Sequence, residues 1–461
     1  MKTLISCLLV AAGALVLLYP VYINDYPLVY SDTGTYIDSG FRSYVPDDRP
    51  IMYGLLIRHS SLATSLFLAV LFQGLLISGV IYASCRLLVN GFGRANYTFA
   101  ACIYVLSLCT GLPWIAAWIM PDVYTGVSFL LLVAMLFGKE LPAWRFGLLA
   151  VVYYIITLTH LSNMASHLLL VMPLLIVALC VRPALRERWM PLRRTAVVTA
   201  MVALNVVLLP SLNFLFKGGF VSSRGSSVFM SARLCGYGLL QEYLDNNCDH
   251  KQYRICAYKD SLPHDGGRFL WDYSGPLYKL GGWKEMSPEL GRINRAILTD
   301  PAYLRVFAEN GLRYTWKQLF LFKTGVDYEQ YDTTSAPYGA IAWHLKNERE
   351  LMLGSLQNTG RLNVSFYMLH IVQSGTLLVC LILSGLLMFV RPFHKTDMAV
   401  LAALILMVAN AAICAFLSDA GSRYQARVIW IFPMLTILQL VIKKDQLIEL
   451  SGRLIKRTQR S

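Results

Sequence analysis

Ala63-Thr64-Ser65-Leu66-Phe67-Leu68-Ala69-Val70-Leu71-Phe72-Gln73-Gly74-Leu75-Leu76-Ile77-Ser78-Gly79-Val80-Ile81-Tyr82-Ala83-Ser84-Cys85 runs without a single charged side chain. A helix needs about 20 apolar residues to cross the roughly 30 Å of bilayer hydrocarbon, so this stretch predicts a membrane span. Similar runs recur near 4–22, 97–112, 122–138, 145–160, 164–181, 195–216, 367–390, 398–417 and 425–442. The expected fold is therefore an all-α polytopic membrane protein with about ten transmembrane helices. Composition agrees, since 56% of the 461 residues are hydrophobic and only 15% are charged, against roughly 25% charged in soluble domains. A soluble enzyme and a disordered chain are both excluded. The first run follows only Lys2 and resembles a signal peptide, but no small-residue cleavage site follows Leu18. An uncleaved first helix is expected.

The net charge is +14, and its placement sets the topology. With the N-terminus in the cytoplasm, the cytoplasmic segments hold Lys2, Arg86, Arg94, Lys139, Arg145, the cluster from Arg182 to Arg194, Arg391, Lys395 and the tail from Lys443 to Arg460. These segments carry 18 basic against 5 acidic side chains, as the positive-inside rule requires. Both termini are expected in the cytoplasm, and the expected location is a bacterial inner (cytoplasmic) membrane. The basic excess is thus a topology signal that points to membrane lipid as partner and not to nucleic acid. Three units follow: an N-terminal transmembrane module over 1–216 with a first outer loop at 23–62, a mostly helical extracytoplasmic domain over 217–366, and a C-terminal module over 367–461 ending in a basic cytoplasmic tail.

Within 217–366, Ser287-Pro288-Glu289 and Asp300-Pro301 each set a cap residue before Pro at a first helical position. Helices near 288–299 and 301–322 are expected. The second ends in Trp316, Leu319, Phe320, Leu321 and Phe322 beside Lys317 and Lys323, a mixture suited to a membrane surface. Seven of the ten cysteines lie in or beside apolar runs and read as small buried hydrophobes. Cys235, Cys248 and Cys256 lie in the outer segment, where an oxidising compartment permits one bridge whose connectivity spacing leaves open. Phe269-Leu270-Trp271-Asp272-Tyr273 fits either a small-domain core or a sugar-stacking surface.

The first outer loop reads Asn24-Asp25-Tyr26-Pro27-Leu28-Val29-Tyr30-Ser31-Asp32-Thr33-Gly34-Thr35-Tyr36 and, further on, Pro46-Asp47-Asp48-Arg49-Pro50-Ile51-Met52-Tyr53-Gly54. Asp32 has two readings: a cap for a helix from Thr33 to Phe41, or a carboxylate held for chemistry. Here the chain resembles the C-type membrane glycosyltransferases, such as protein O-mannosyltransferases and lipid A aminoarabinose transferases. Those enzymes have an Asp-Glu-x-x-Tyr stretch and a later Lys/Arg-Pro-Pro-Leu-Tyr stretch. This chain has Ser31-Asp32-Thr33-Gly34-Thr35-Tyr36 and Arg49-Pro50-Ile51-Met52-Tyr53, with Ser and Asp for the acidic pair and without the second Pro. Gly421-Ser422-Arg423-Tyr424 at the start of the last span, followed by Pro433, is similar to the family's Arg-Tyr pattern. The resemblance implies sugar transfer from a polyprenyl-phosphate donor to a glycan, lipid or protein acceptor. It implies Asp32 as catalytic residue, and Tyr36, Arg49, Tyr53, Arg423 and Tyr424 at the substrate.

The chemistry of such a reaction selects the same residue types. An acceptor hydroxyl must lose its proton as the new bond forms, which a positioned carboxylate assists. A leaving phosphate needs fixed positive charge, which guanidinium groups supply bidentately. Arg423 and Arg427 stand one helical turn apart, and Arg49 lies in the first loop; the alternative for the late pair is snorkelling anchors. Thr159-His160-Leu161-Ser162-Asn163-Met164-Ala165-Ser166-His167 forms a polar turn. His160, Asn163 and His167 there are open to orienting an acceptor, passing a proton or, for the two histidines, binding a divalent ion. Asp122, after Pro121, has two readings, a helix cap or a member of the site. A transporter or flippase of lipid-linked sugars and a non-catalytic envelope assembly protein are the competing readings.

Overall fold

The computed structural model describes residues 1–183, 190–326, 328–418 and 420–458. Arg186, Arg188 and Arg460, counted above among the cytoplasmic charges, lie outside the described residues. Among the described residues the chain is helical, and the isolated pairing of Leu28 with Trp118 is its one β-bridge. Among the described residues six helices are long and apolar enough to cross a membrane: Leu66–Leu88, Leu161–Cys180, Leu192–Leu215, Phe366–Phe389, Lys395–Leu417 and Arg423–Glu449. The chain is thus an α-helical membrane protein. The other four expected spans also fall on helices, which are shorter or more polar: Lys2–Leu17, Phe92–Cys109, Val123–Phe137 and Ala143–Thr157. The first run divides at Leu18 because Pro20 opens a new short helix, Tyr19–Asn24.

Val123–Phe137 is the axis of the bundle. Every one of its residues is buried, as a helix apolar on all sides requires. Around it stand Leu66–Leu88, Ala143–Thr157, Leu161–Cys180, Leu192–Leu215, Lys395–Leu417 and Arg423–Ile429.

The stretch 23–62 is packed into the main core and not draped over it. Tyr26, Leu28, Val29, Tyr36, Ile51 and Tyr53 are all at most 2% exposed. Its helices Thr33–Arg42 and Met52–Ser60 cross at Gly40 and Gly54, where a Cβ on either residue would collide with the other's backbone. Asp38 ties this unit to the helix Ala336–His344 through His344 at 2.9 Å. Glu348 accepts hydrogen bonds from the Tyr26 hydroxyl at 2.7 Å and the Leu66 amide at 3.1 Å. A carboxylate 282 residues away in sequence therefore caps the start of the Leu66 helix.

The segment 217–366 packs in two parts. Val228 to Phe307 contribute a second, separate core, whereas Tyr331, Ile341, Leu345 and Met352 join the main one. The expected helix start at Pro288 is corrected: the helix is Gly282–Thr299, and Pro288 lies inside it. Gly281, at φ 103°, starts the helix one and a half turns earlier than the Ser-Pro signal implies. Asp300 does cap the next helix, Pro301–Leu319, accepting from the Ala302 amide at 2.8 Å. Trp316 and Phe320 are exposed on it as expected for a membrane surface, but Phe322 is turned inward beside His370. Cys248 and Cys256 are disulfide-bonded, and Cys235 is a free, buried thiol.

Candidate functional site

The backbone before Asp32 is fixed from two sides. Leu28 donates its amide to Ala117 O at 3.0 Å and accepts from Ile119 N at 2.9 Å. Gln357 exchanges bonds of 3.1 and 2.9 Å with Val29. Thr33 Oγ1 accepts from the Tyr30 amide and donates to Ile119 O. Asp32 thus enters the helix Thr33–Arg42 at the cap position, yet its side chain makes no capping hydrogen bond. Oδ1 instead lies 3.0 Å from Arg49 Nη2, and Oδ2 lies 3.7 Å from Arg423 Nη1. Asp48 takes another contact of Arg49.

Asp122 repeats the device. It occupies the cap position of Val123–Phe137 without a side-chain cap bond, so the capping role read from the sequence is corrected. Its Oδ1 sits 3.5 Å from Arg427 Nη1 and 3.7 Å from Arg423 Nε. Arg423 therefore bridges the two carboxylates. Arg427 donates to Ser162 Oγ at 2.8 Å and to Asn410 Oδ1 at 2.9 Å, and is fully buried. A snorkelling anchor keeps its head in water; Arg427 does not.

Aromatic faces cover the cations. Arg49 lies 4.8 Å from the centre of the Tyr36 ring, Arg423 lies 4.6 Å from that of Tyr30, and both late arginines flank Tyr424 at 5.2 and 5.3 Å. Such stacking strengthens as water is excluded. Burial pushes the Tyr36 hydroxyl far above its usual range, so it stands as a neutral phenol beside Arg49. Burial alone would lower the Arg49 pKa, but the carboxylates of Asp32 and Asp48 outweigh it and keep the guanidinium charged.

His160 Nδ1 accepts from the Ser162 amide at 3.2 Å and lies 2.8 Å from Ser162 Oγ. It joins the cluster through the relay Ser162 to Arg427 to Asp122. His167 does not share that position, which corrects the paired-histidine reading. Its two ring nitrogens face Tyr153 at 3.1 Å and Ser128 at 3.3 Å in the buried bundle. Among the described residues no group of three or more His, Cys, Asp or Glu is placed to hold a metal ion. Asn163 and Tyr53 stand one layer outside. Asn163 accepts from Thr125 Oγ1 at 2.7 Å, and Tyr53 donates to Gln73 at 3.1 Å while its ring packs edge-on against Tyr36. Tyr53 thus backs the ring that covers Arg49, and Asn163 bonds to the helix that Asp122 opens.

On its other side Arg423 borders a small pocket lined also by Ile115, Trp118, Lys323, Thr324 and Tyr328. Trp118 Nε1 and Arg423 Nη1 are buried there without a hydrogen-bond partner. An unmatched buried donor carries a penalty of roughly 1–3 kcal/mol, which Arg423 Nη1 offsets in part through Asp32 Oδ2 at 3.7 Å. Sequence reasoning missed Trp118, Lys323, Tyr30, Ser162 and Asn410. Tyr30 and Ser162 sat in the first outer loop and the polar turn already singled out, and Trp118 precedes the irregular Met120-Pro121-Asp122 stretch; Asn410 is one polar residue inside an apolar span, which reads equally well as a packing bond. Compared with family models, curated proteins and solved structures, the chain gives no match in any of the three.

Proposed function

We propose that the protein is a membrane glycosyltransferase that moves a sugar from a polyprenyl-phosphate-linked donor to an acceptor hydroxyl at the extracytoplasmic face. The observation that carries this reading is Asp32, a carboxylate at a helix start that makes no capping bond and is held between Arg49 and Arg423. In the reaction the acceptor oxygen bonds to the anomeric carbon, its proton passes to Asp32, and the bond to the donor phosphate oxygen breaks. The departing phosphate takes its charge towards Arg423 and Lys323, with Trp118 Nε1 as a further donor. A positioned base of this kind contributes roughly 10² to 10⁴ in rate.

The cluster lies where helices begin and not at mid-span, which favours surface chemistry over a transport path. The other buried ion pair, Lys443 with Asp397 at 2.8 Å, is closed off by Gln439 and by the carbonyls of Leu387 and Val390. Ten spans with both termini in the cytoplasm remain the topology in this reading. The Cys248–Cys256 bond supports it, because disulfides persist in oxidising compartments. After mild reduction, an impermeant thiol reagent should label Cys248 in intact cells; labelling only after lysis would reverse the orientation.

The reading is tested without knowing the sugar. Polyprenyl phosphate should raise the melting temperature of the purified protein in detergent by several degrees, and the corresponding polyprenol should not. Arg423→Gln should abolish the phosphate-dependent part. Equal stabilisation by alcohol and phosphate would remove the phosphate site and the donor class with it.

A further inference from the structure

The helix Gly282–Thr299 carries a feature that the membrane-level cluster does not use. Ser287, Pro288, Gly291, Arg292, Arg295 and Thr299 line an open groove whose far wall is Ser227. No carboxylate and no large apolar side chain lines it. The nearby acidic groups are engaged elsewhere: Glu289 turns inward to the amides of Arg254 and Ile255, and Asp300 caps Ala302. Arg292 and Arg295 are exposed, and no ion pair holds either of them among the described residues. Positions three apart on a helix are neighbours, so the two arginines leave the same helix face and both line the groove.

Trp283 lies one turn before Ser287 on the same face. Its ring packs on Trp271 with centroids 5.4 Å apart, and Trp271 is 46% exposed. The stretch that was open to two readings therefore divides: Phe269 and Leu270 enter the second core, whereas Trp271 and Tyr273 face outward. An aromatic face presents negative charge density to the C–H bonds of a sugar ring. Gly225 packs against both the Trp283 ring and the Asp47 carbonyl, where an added Cβ would be only 2.7 Å from each. Asp47 is followed in the chain by Asp48 and Arg49, so the short stretch 47–49 connects the contact at Trp283 to the Asp32 cluster.

We infer that this groove, ended by Trp271 and Trp283, binds an anionic saccharide chain, one bearing carboxylate or phosphate groups, as the acceptor of the transfer. The inference rests on the glycosyltransferase reading for the word acceptor, but the binding stands apart from the chemistry. Arginines without acidic partners read the charge, serine hydroxyls pair with sugar hydroxyls, and the tryptophans take the ring faces.

The test is binding to the full-length protein in detergent or nanodiscs, with an oligogalacturonate, a maltooligosaccharide of equal length, inorganic phosphate, and vesicles with and without anionic phospholipid as probes. The acidic oligosaccharide should bind saturably and at least about tenfold more tightly than the neutral one. Arg292→Gln with Arg295→Gln should remove that preference, and Trp271→Ala should weaken both oligosaccharides several-fold. The three side chains are exposed or half-exposed, and an unchanged melting temperature identifies these losses as binding effects. Equal binding of both oligosaccharides, full competition by millimolar phosphate, or binding to anionic vesicles alone would overturn the groove as a saccharide site. Asp32→Asn separates the two proposals. It should bind the acidic oligosaccharide normally and lose transfer; intact binding with wild-type-like transfer by this variant counts against the enzyme reading only, and transfer by the wild type without binding of the acidic oligosaccharide counts against the groove only.

Discussion

Asp32→Asn should lower sugar transfer at least about 100-fold while shifting stability by no more than about 1 kcal/mol. Asparagine keeps the shape and one oxygen towards Arg49 but cannot take a proton from a hydroxyl at neutral pH. The stability expectation follows from geometry. The Asp32 side chain makes no capping bond and is about a quarter exposed, so its ion pairs are partly screened by solvent. Asp32→Ala should for the same reason abolish transfer without the roughly 1 kcal/mol penalty of a lost cap. Transfer from a polyprenyl-linked donor, measured beside thermal stability in detergent for both variants, checks this. Wild-type transfer by Asp32→Asn would take the residue out of the chemistry.

Arg427→Met should have the opposite signature. Arg427 is fully buried and holds Asp122, which is 1% exposed, together with Ser162 and Asn410. Removing Arg427 leaves the buried Asp122 with Arg423 Nε at 3.7 Å as its remaining cation, so the expected cost is up to about 3–5 kcal/mol, the range for a broken buried pair. Adding Asp122→Asn removes the stranded charge, so the double variant should recover most of that loss. A double-mutant cycle by thermal unfolding in detergent reads the coupling directly. Additive losses would mean that the two side chains do not act as a pair.

Much of this architecture was legible because apolar periodicity and length govern insertion into a bilayer. All ten expected spans fall on helices, and six satisfy length and hydropathy on their own. Val123–Phe137 and Ala143–Thr157 fall short in length, at 15 residues each. The residues Asp32, Arg49, Arg423 and Arg427 were readable as charges at the ends of apolar runs. Their pairing was not, since Arg427 and Asp122 are 305 positions apart and no local rule links such positions. The cap rule misdirected the reading of Asp122 for a physical reason. It weighs an exposed helix start, and here an arginine in a low-dielectric setting competes for the carboxylate more strongly than a backbone amide does. Pro288 shows the converse failure, because a Ser-Pro pair marks a helix start only when nothing upstream can begin one, and Gly281 can.

The sheathed helix Val123–Phe137 bears on how the chain is made. It emerges from the ribosome long before Arg423–Glu449, yet Trp430 and the Arg427 carbonyl pack directly over its Gly126. Until that late span arrives, Asp122 has neither of the cations that neutralise it, and one flank of the axis is open. The packing around the axis is therefore incomplete through most of the chain's synthesis. A chain truncated before Arg423 should be cleared by quality-control proteolysis and should not accumulate as a partial bundle.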